Sequence, residues 1–118
     1  MPHNWASRCY VYFTRRYERA IRKLLAEDAR REMEAAIVAA PDAAPVISGT
    51  GGIRKLRWAG SGRGKRGGIR VIYFWLGARG AIYMLAAYAK ADRDDLTATD
   101  KRTLARLVAA IESEGQRE

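Results

Sequence analysis

The sequence is poor in the residues that usually carry catalysis or cross-links. One cysteine, Cys9, rules out an internal disulfide and a cysteine-ligated zinc site. The one histidine, His3, stands at the chain start, where residues are commonly frayed. No apolar run approaches the roughly 20 residues needed to span a bilayer. The start, Met1-Pro2-His3-Asn4-Trp5, lacks the basic stretch and apolar run of a signal peptide. These absences lead us to expect a cytoplasmic protein with no membrane association. With 118 residues the expectation is one domain over 1–118, frayed at 1–7 and 113–118.

The most informative absence is of negative charge. Between Asp42 and Asp92 there is no Asp or Glu. The same interval holds nine cations: Arg54, Lys55, Arg57, Arg63, Lys65, Arg66, Arg70, Arg79 and Lys90. The thirteen other cations are balanced by all thirteen carboxylates, so the net charge of +9 sits in this one block. Like charges repel, and a solvated surface mixes signs; a one-signed block fits a polyanion, of which nucleic acid is the commonest. Paired-carboxylate hydrolysis and carboxylate-bound magnesium are disfavoured inside it, so no metal site and no cofactor are expected.

Residues 8–13 alternate and are β-prone, placing Cys9, Val11 and Phe13 on one face of an opening strand. From Arg15 the spacing turns helical: Tyr17, Ile21, Leu24 and Leu25 form one stripe. A second helix from about Asp28 carries Met33, Ala36, Ile37 and Ala40 and stops at Pro41. A Pro/Ala/Ser/Gly-rich loop follows to Gly52. Strands at 53–59, 69–76 and 81–89 are separated by glycine-dense connections, which predicts an antiparallel meander. Val71 to Trp75 is apolar on both faces and suits a central strand. Alternation sets Lys55 and Arg57 opposite Leu56. A last helix opens after Thr97 or Thr99, where Thr97 and Asp100 have capping-box spacing, and its stripe is Leu104, Leu107, Val108 and Ile111. The order is β-α-α-β-β-β-α: an α+β fold with a small antiparallel-rich sheet and helices expected on one side.

Two nucleotide-binding patterns fail in context. Gly62-x-Gly64-x-x-Gly67 precedes a strand and not a helix, and the run from Gly60 to Lys65 is one residue short of a phosphate loop, with Arg66 in the Ser/Thr place. The same glycines still let backbone amides approach phosphates, beside Arg63, Lys65 and Arg66. One reaction suits cations without metal. RNA carries its own nucleophile, the 2′-hydroxyl. The protein has only to supply a base, cations for the phosphoryl oxygens and an acid for the leaving oxygen. Arginine is a permanent, phosphate-shaped cation, and a lysine crowded by guanidinium groups has an accessible neutral form.

Taken together, four segments are similar to the RelE/HigB-type toxins of bacterial toxin–antitoxin pairs. They are Gly51-Gly52-Ile53-Arg54-Lys55-Leu56-Arg57-Trp58, the run from Gly62 through Gly68-Ile69-Arg70-Val71-Ile72-Tyr73, Tyr88-Ala89-Lys90, and Asp95-Leu96-Thr97. The resemblance spans roughly residues 8–112. It implies a microbial RNase-type fold with the element order above, cleavage of mRNA on the ribosome, and a neighbouring antitoxin. It implies catalytic roles for Lys55, Arg57, Arg70 and Lys90: Lys55 as base, Arg57 and Arg70 as phosphate clamps, Lys90 at the phosphate or leaving group. Arg54, Arg63, Lys65 and Arg66 are assigned to RNA binding. Members often have a tyrosine in the last segment; here none follows Tyr88. The basic excess suggests an acidic antitoxin segment. Other readings are a ParE-like toxin that inhibits gyrase, for which so one-sided a field is not needed, and an inactive antitoxin-binding module.

Overall fold

Local chemistry sets the first half of the fold. Thr14 caps the first helix by accepting the Tyr17 amide at 3.1 Å, so strand β1 (Tyr10–Phe13) passes directly into α1 (Arg15–Leu24). Helix α2 (Glu27–Ala39) ends ahead of Pro41, as expected from the bias against helix before proline. The remaining elements are β2 (Ile53–Trp58), β3 (Ile69–Leu76), β4 (Ala81–Ala89) and α3 (Ala98–Gln116). The computed structural model describes residues 9–59, 68–93 and 95–116. Among them, no helix is long and apolar enough to cross a membrane.

The sheet order is β1-β4-β3-β2. β2, β3 and β4 form the antiparallel meander, while β1 joins β4 in parallel. β3 and β4 are central, and β3 is buried along nearly its whole length, which is why its sequence is apolar on both faces. The outer edge of β2 is covered: Ile47 donates to the Ile53 carbonyl at 2.7 Å, and Lys55 donates to that of Pro45 at 3.0 Å.

The sheet is covered on both faces, and here the expected one-sided arrangement is corrected. Ile69, Val71 and Tyr73 pack with Tyr17 and Ile21 of α1 and with Met33 and Ile37 of α2. Ile53, Ile72 and Phe74, which point the other way, pack with Leu104 and Val108 of α3. A central strand apolar on both faces needs a cover on each, and α3 is the element left to supply the second. Leu107, expected in the buried stripe, is more than a third exposed. α3 also continues to Gln116, past residue 113, where fraying is expected.

A β-bulge organises the second face. Ile72 pairs with Ala86 but Tyr73 pairs with Met84, leaving Leu85 as the extra residue. Thr14 pins it: its hydroxyl donates to the Leu85 carbonyl at 3.0 Å and its amide to Met84 at 3.1 Å. Leu85 and Ala86 therefore both join the α3 cluster. Beyond the bulge the alternation of β4 is inverted, and Tyr88 faces the α3 side opposite Arg70.

Candidate functional site

Strand pairing brings three of the four expected catalytic cations to one corner. Arg57 pairs directly with Arg70, and Lys55 pairs with Ile72 one step along on the same face. On the other side of β3, Arg70 pairs with Tyr88. Lys90 stands just beyond the end of β4, its amide donating to the Gly68 carbonyl at 3.0 Å beside the start of β3. Arg57 is exposed, Lys55 is half-buried, and Arg70 is only 5% exposed.

Gly68 makes this corner possible. It holds a left-handed φ of 69°, and a Cβ there would lie 2.1 Å from the Trp58 carbonyl oxygen. In the run Gly68-x-Arg70-x-x-Tyr73 the first named residue is thus a close-approach glycine. The last, Tyr73, points to the opposite face and donates to the Pro41 carbonyl at 2.8 Å. Arg70 alone of the three presents chemistry to this face.

Arg54, expected to bind RNA, is not brought to this corner. It lies on the other face of β2, and its guanidinium donates to the carbonyls of Asp42 at 3.0 Å and Ala44 at 2.6 Å, tying that loop to the strand. Arg63, Lys65 and Arg66 lie outside the described residues. Arg79 belongs to the far end of the sheet, where it lines a hollow with Tyr10, Tyr12 and Tyr83.

The corner is not free of carboxylates, although β2 to β4 are. The connection into α3 brings Asp95 and Asp100 back to it. Lys55 Nζ lies 3.2 Å from Asp95 Oδ1. The Leu96 amide, and secondarily Lys55, hold the Asp95 carboxyl below its ordinary range. Thr97 and Asp100 form the expected reciprocal cap: the Thr97 amide donates to Asp100 at 3.1 Å, and the Asp100 amide donates to Thr97 Oγ1 at 3.0 Å. Asp100 also accepts from Arg93 at 2.7 Å, and the Thr97 amide first, then Arg93, lower its carboxyl. The Arg93 guanidinium lies 5.2 Å from the Tyr88 ring centre. Burial above all pushes the Tyr88 phenol up, Asp95 adding to the rise while Arg93 and Arg70 oppose it.

Sequence reading missed Arg93, Asp95 and Asp100 as parts of this site. The capping-box spacing and the Asp-Leu-Thr run were the available signals, but neither says which strand the cap meets. Among the described residues no three His, Cys, Asp or Glu side chains cluster as a metal site. The corner thus holds Lys55, Arg57 and Arg70 on one face, with Asp95 on Lys55 and with Arg93 held between Asp100 and the Tyr88 ring.

The same fold occurs in the Escherichia coli toxin RelE. A double mutant of RelE in the free state is 16% identical, with a TM-score of 0.53, covering 73% of this chain and 87% of that one. The intact E. coli RelBE toxin–antitoxin complex is also 16% identical, with a TM-score of 0.52, covering 70% of this chain and 96% of that one. Residues 9–117 match the family model described as the RelE toxin of the RelE/RelB toxin–antitoxin system. The chain therefore belongs to the RelE toxin family.

Proposed function

We infer that this toxin is an endoribonuclease that cleaves mRNA on the ribosome without a metal, through Lys55, Arg57, Arg70 and Lys90. The observation that carries the reading is the in-register pairing of Arg57 with Arg70, with Lys55 beside them on one face. Two guanidinium groups across one strand pair suit the non-bridging oxygens of a single phosphate. Lys55 takes the 2′-hydroxyl proton, the 2′-oxygen bonds to phosphorus, and the bond to the 5′-oxygen breaks. The products are a 2′,3′-cyclic phosphate and a 5′-hydroxyl end. Arg57 and Arg70 stabilise the charge gathering on the phosphoryl oxygens, and Lys90 contacts the phosphate or assists the departing oxygen. Arg63, Lys65 and Arg66 extend RNA binding along the strand connection. In the free protein Lys55 is paired with Asp95, so substrate phosphate has to replace that carboxylate. Exposed ion pairs are worth little, and the exchange costs little.

The partner is a cognate antitoxin with an acidic segment. The +9 surplus supports this, as does the E. coli relative's occurrence in a toxin–antitoxin complex. The setting is the cytoplasm, with 1–118 acting as one domain.

Induced expression should halt growth with loss of message and intact DNA, and Lys55→Ala or Arg70→Ala should relieve the arrest in protein that still folds. Mapping cleaved ends with and without ribosomes decides the reaction. DNA double-strand breaks, or full toxicity in both variants, would replace this reading with gyrase inhibition.

A further inference from the structure

One group at the cationic corner has no structural explanation. Tyr88 is 8% exposed, and among the described residues its hydroxyl is the buried side-chain polar atom without a hydrogen-bond partner. A buried phenol normally finds a partner, because leaving one unmet costs about 1–3 kcal/mol. The ring alone would serve the apolar cluster with Leu96 and Leu104, and phenylalanine would fill that place without the cost. Tyr88 is nevertheless the strand partner of Arg70, which pairs in turn with Arg57, and the Arg93 guanidinium lies on its ring.

We propose that Tyr88 is the general acid of the cleavage reaction, its hydroxyl giving a proton to the departing 5′-oxygen. The inference rests on the ribonuclease reading above and assigns the step for which no late tyrosine exists in this chain. As the P–O5′ bond breaks, its electron pair stays on the 5′-oxygen, which takes the phenolic proton. Lys55 holds the proton from the 2′-hydroxyl, and transfer through solvent restores both groups. Burial favours the neutral phenol, so the proton is in place at neutral pH. In the free protein the Arg93 guanidinium lies over the Tyr88 ring and Leu96 belongs to the same buried cluster. The assignment therefore requires that substrate binding open this side of Tyr88 to the 5′-oxygen.

The test is single-turnover cleavage of a ribosome-bound message by the parent and by Tyr88→Phe. Two substrates are used, one with the natural 5′-oxygen and one with bridging sulfur in its place. A thiolate departs without a proton. The expected result is a loss of about 10²-fold on the oxygen substrate, an unchanged KM, and near-parental rates on the sulfur substrate. Oxygen cleavage within threefold of the parent, or an equal loss on both substrates, overturns the assignment. If Tyr88→Phe does not fold, 3-fluorotyrosine at position 88 decides. Its greater acidity must shift the pH–rate profile on oxygen and leave it unchanged on sulfur, and an unshifted oxygen profile overturns the assignment. A parent that cleaves neither substrate sinks the ribonuclease reading itself, and this inference with it.

Discussion

Tyr17 of helix α1 and Tyr88 of strand β4 belong to the buried clusters on opposite faces of the sheet, and their hydroxyls are treated differently. Each is buried, and each has an arginine on its ring: Arg30 at 5.5 Å for Tyr17 and Arg93 at 5.2 Å for Tyr88. Each arginine is held by a carboxylate. Arg30 binds Glu34 at 2.8 Å and Glu18 at 3.0 Å, while Arg93 binds Asp100 at 2.7 Å. The Tyr17 hydroxyl closes its network by donating to Glu34 at 2.5 Å, whereas the Tyr88 hydroxyl has no partner. A closed network rigidifies the joint between α1 and α2; an open one at a cationic corner keeps a hydrogen-bonding capacity for a ligand. The likeness of the surroundings makes the missing bond informative.

The largest effect should separate the two sites by function. Arg57→Ala removes an exposed cation from the open corner and should lower RNA cleavage by about 10²–10³-fold with an unchanged melting temperature. Arg30→Ala should do the reverse, and a cleavage loss in folded Arg30→Ala protein would break the comparison. Next, Gly68→Ala forces a Cβ against the Trp58 carbonyl at a left-handed residue and should cost about 3 kcal/mol in denaturant unfolding. Tyr17→Phe should cost about 1–3 kcal/mol, because Glu34 and Arg30 lose a buried partner. Tyr88→Phe should cost nothing or stabilise, so equal destabilisation of both would show that the two hydroxyls are not different after all. Acid unfolding gives a smaller effect. Glu18, lowered chiefly by its hydrogen bond from Arg30, and Asp100 have folded carboxyls below the unfolded value. Their contribution is complete above the unfolded value and disappears as pH falls through the folded one. Glu18→Gln and Asp100→Asn should each flatten the loss of stability as pH falls below about 5. Smallest of all, Asp95→Asn should change stability by less than about 0.5 kcal/mol while tightening RNA binding at low salt, since it frees Lys55 from an exposed pair.

The meander was legible because glycine-rich connections and two-residue alternation are local signals, and β3 and β4 occupy the expected residues. The Thr97/Asp100 cap was legible for the same reason. The place of Arg54 was not legible, because charge alone does not reveal that a guanidinium donates to the carbonyls of Asp42 and Ala44. The covering of both faces was missed because the α3 stripe shows that the helix packs, and not on which side.

What the amino-acid order determines by itself is the set of elements, the acid-free basic block and the shared face of Lys55 and Arg57, since each follows from spacing within one segment. The partners of that face were decided only by tertiary structure. Counted back from the turn at 77–80 without interruption, Arg70 would meet Ala87, and Tyr88 would turn toward α1 and α2. The extra residue at Leu85, held by Thr14 from a distant part of the chain, moves the pairing by one and sets Tyr88 against Arg70. Side chains in a strand alternate with a period of two, so a single inserted residue transfers everything beyond it to the other face.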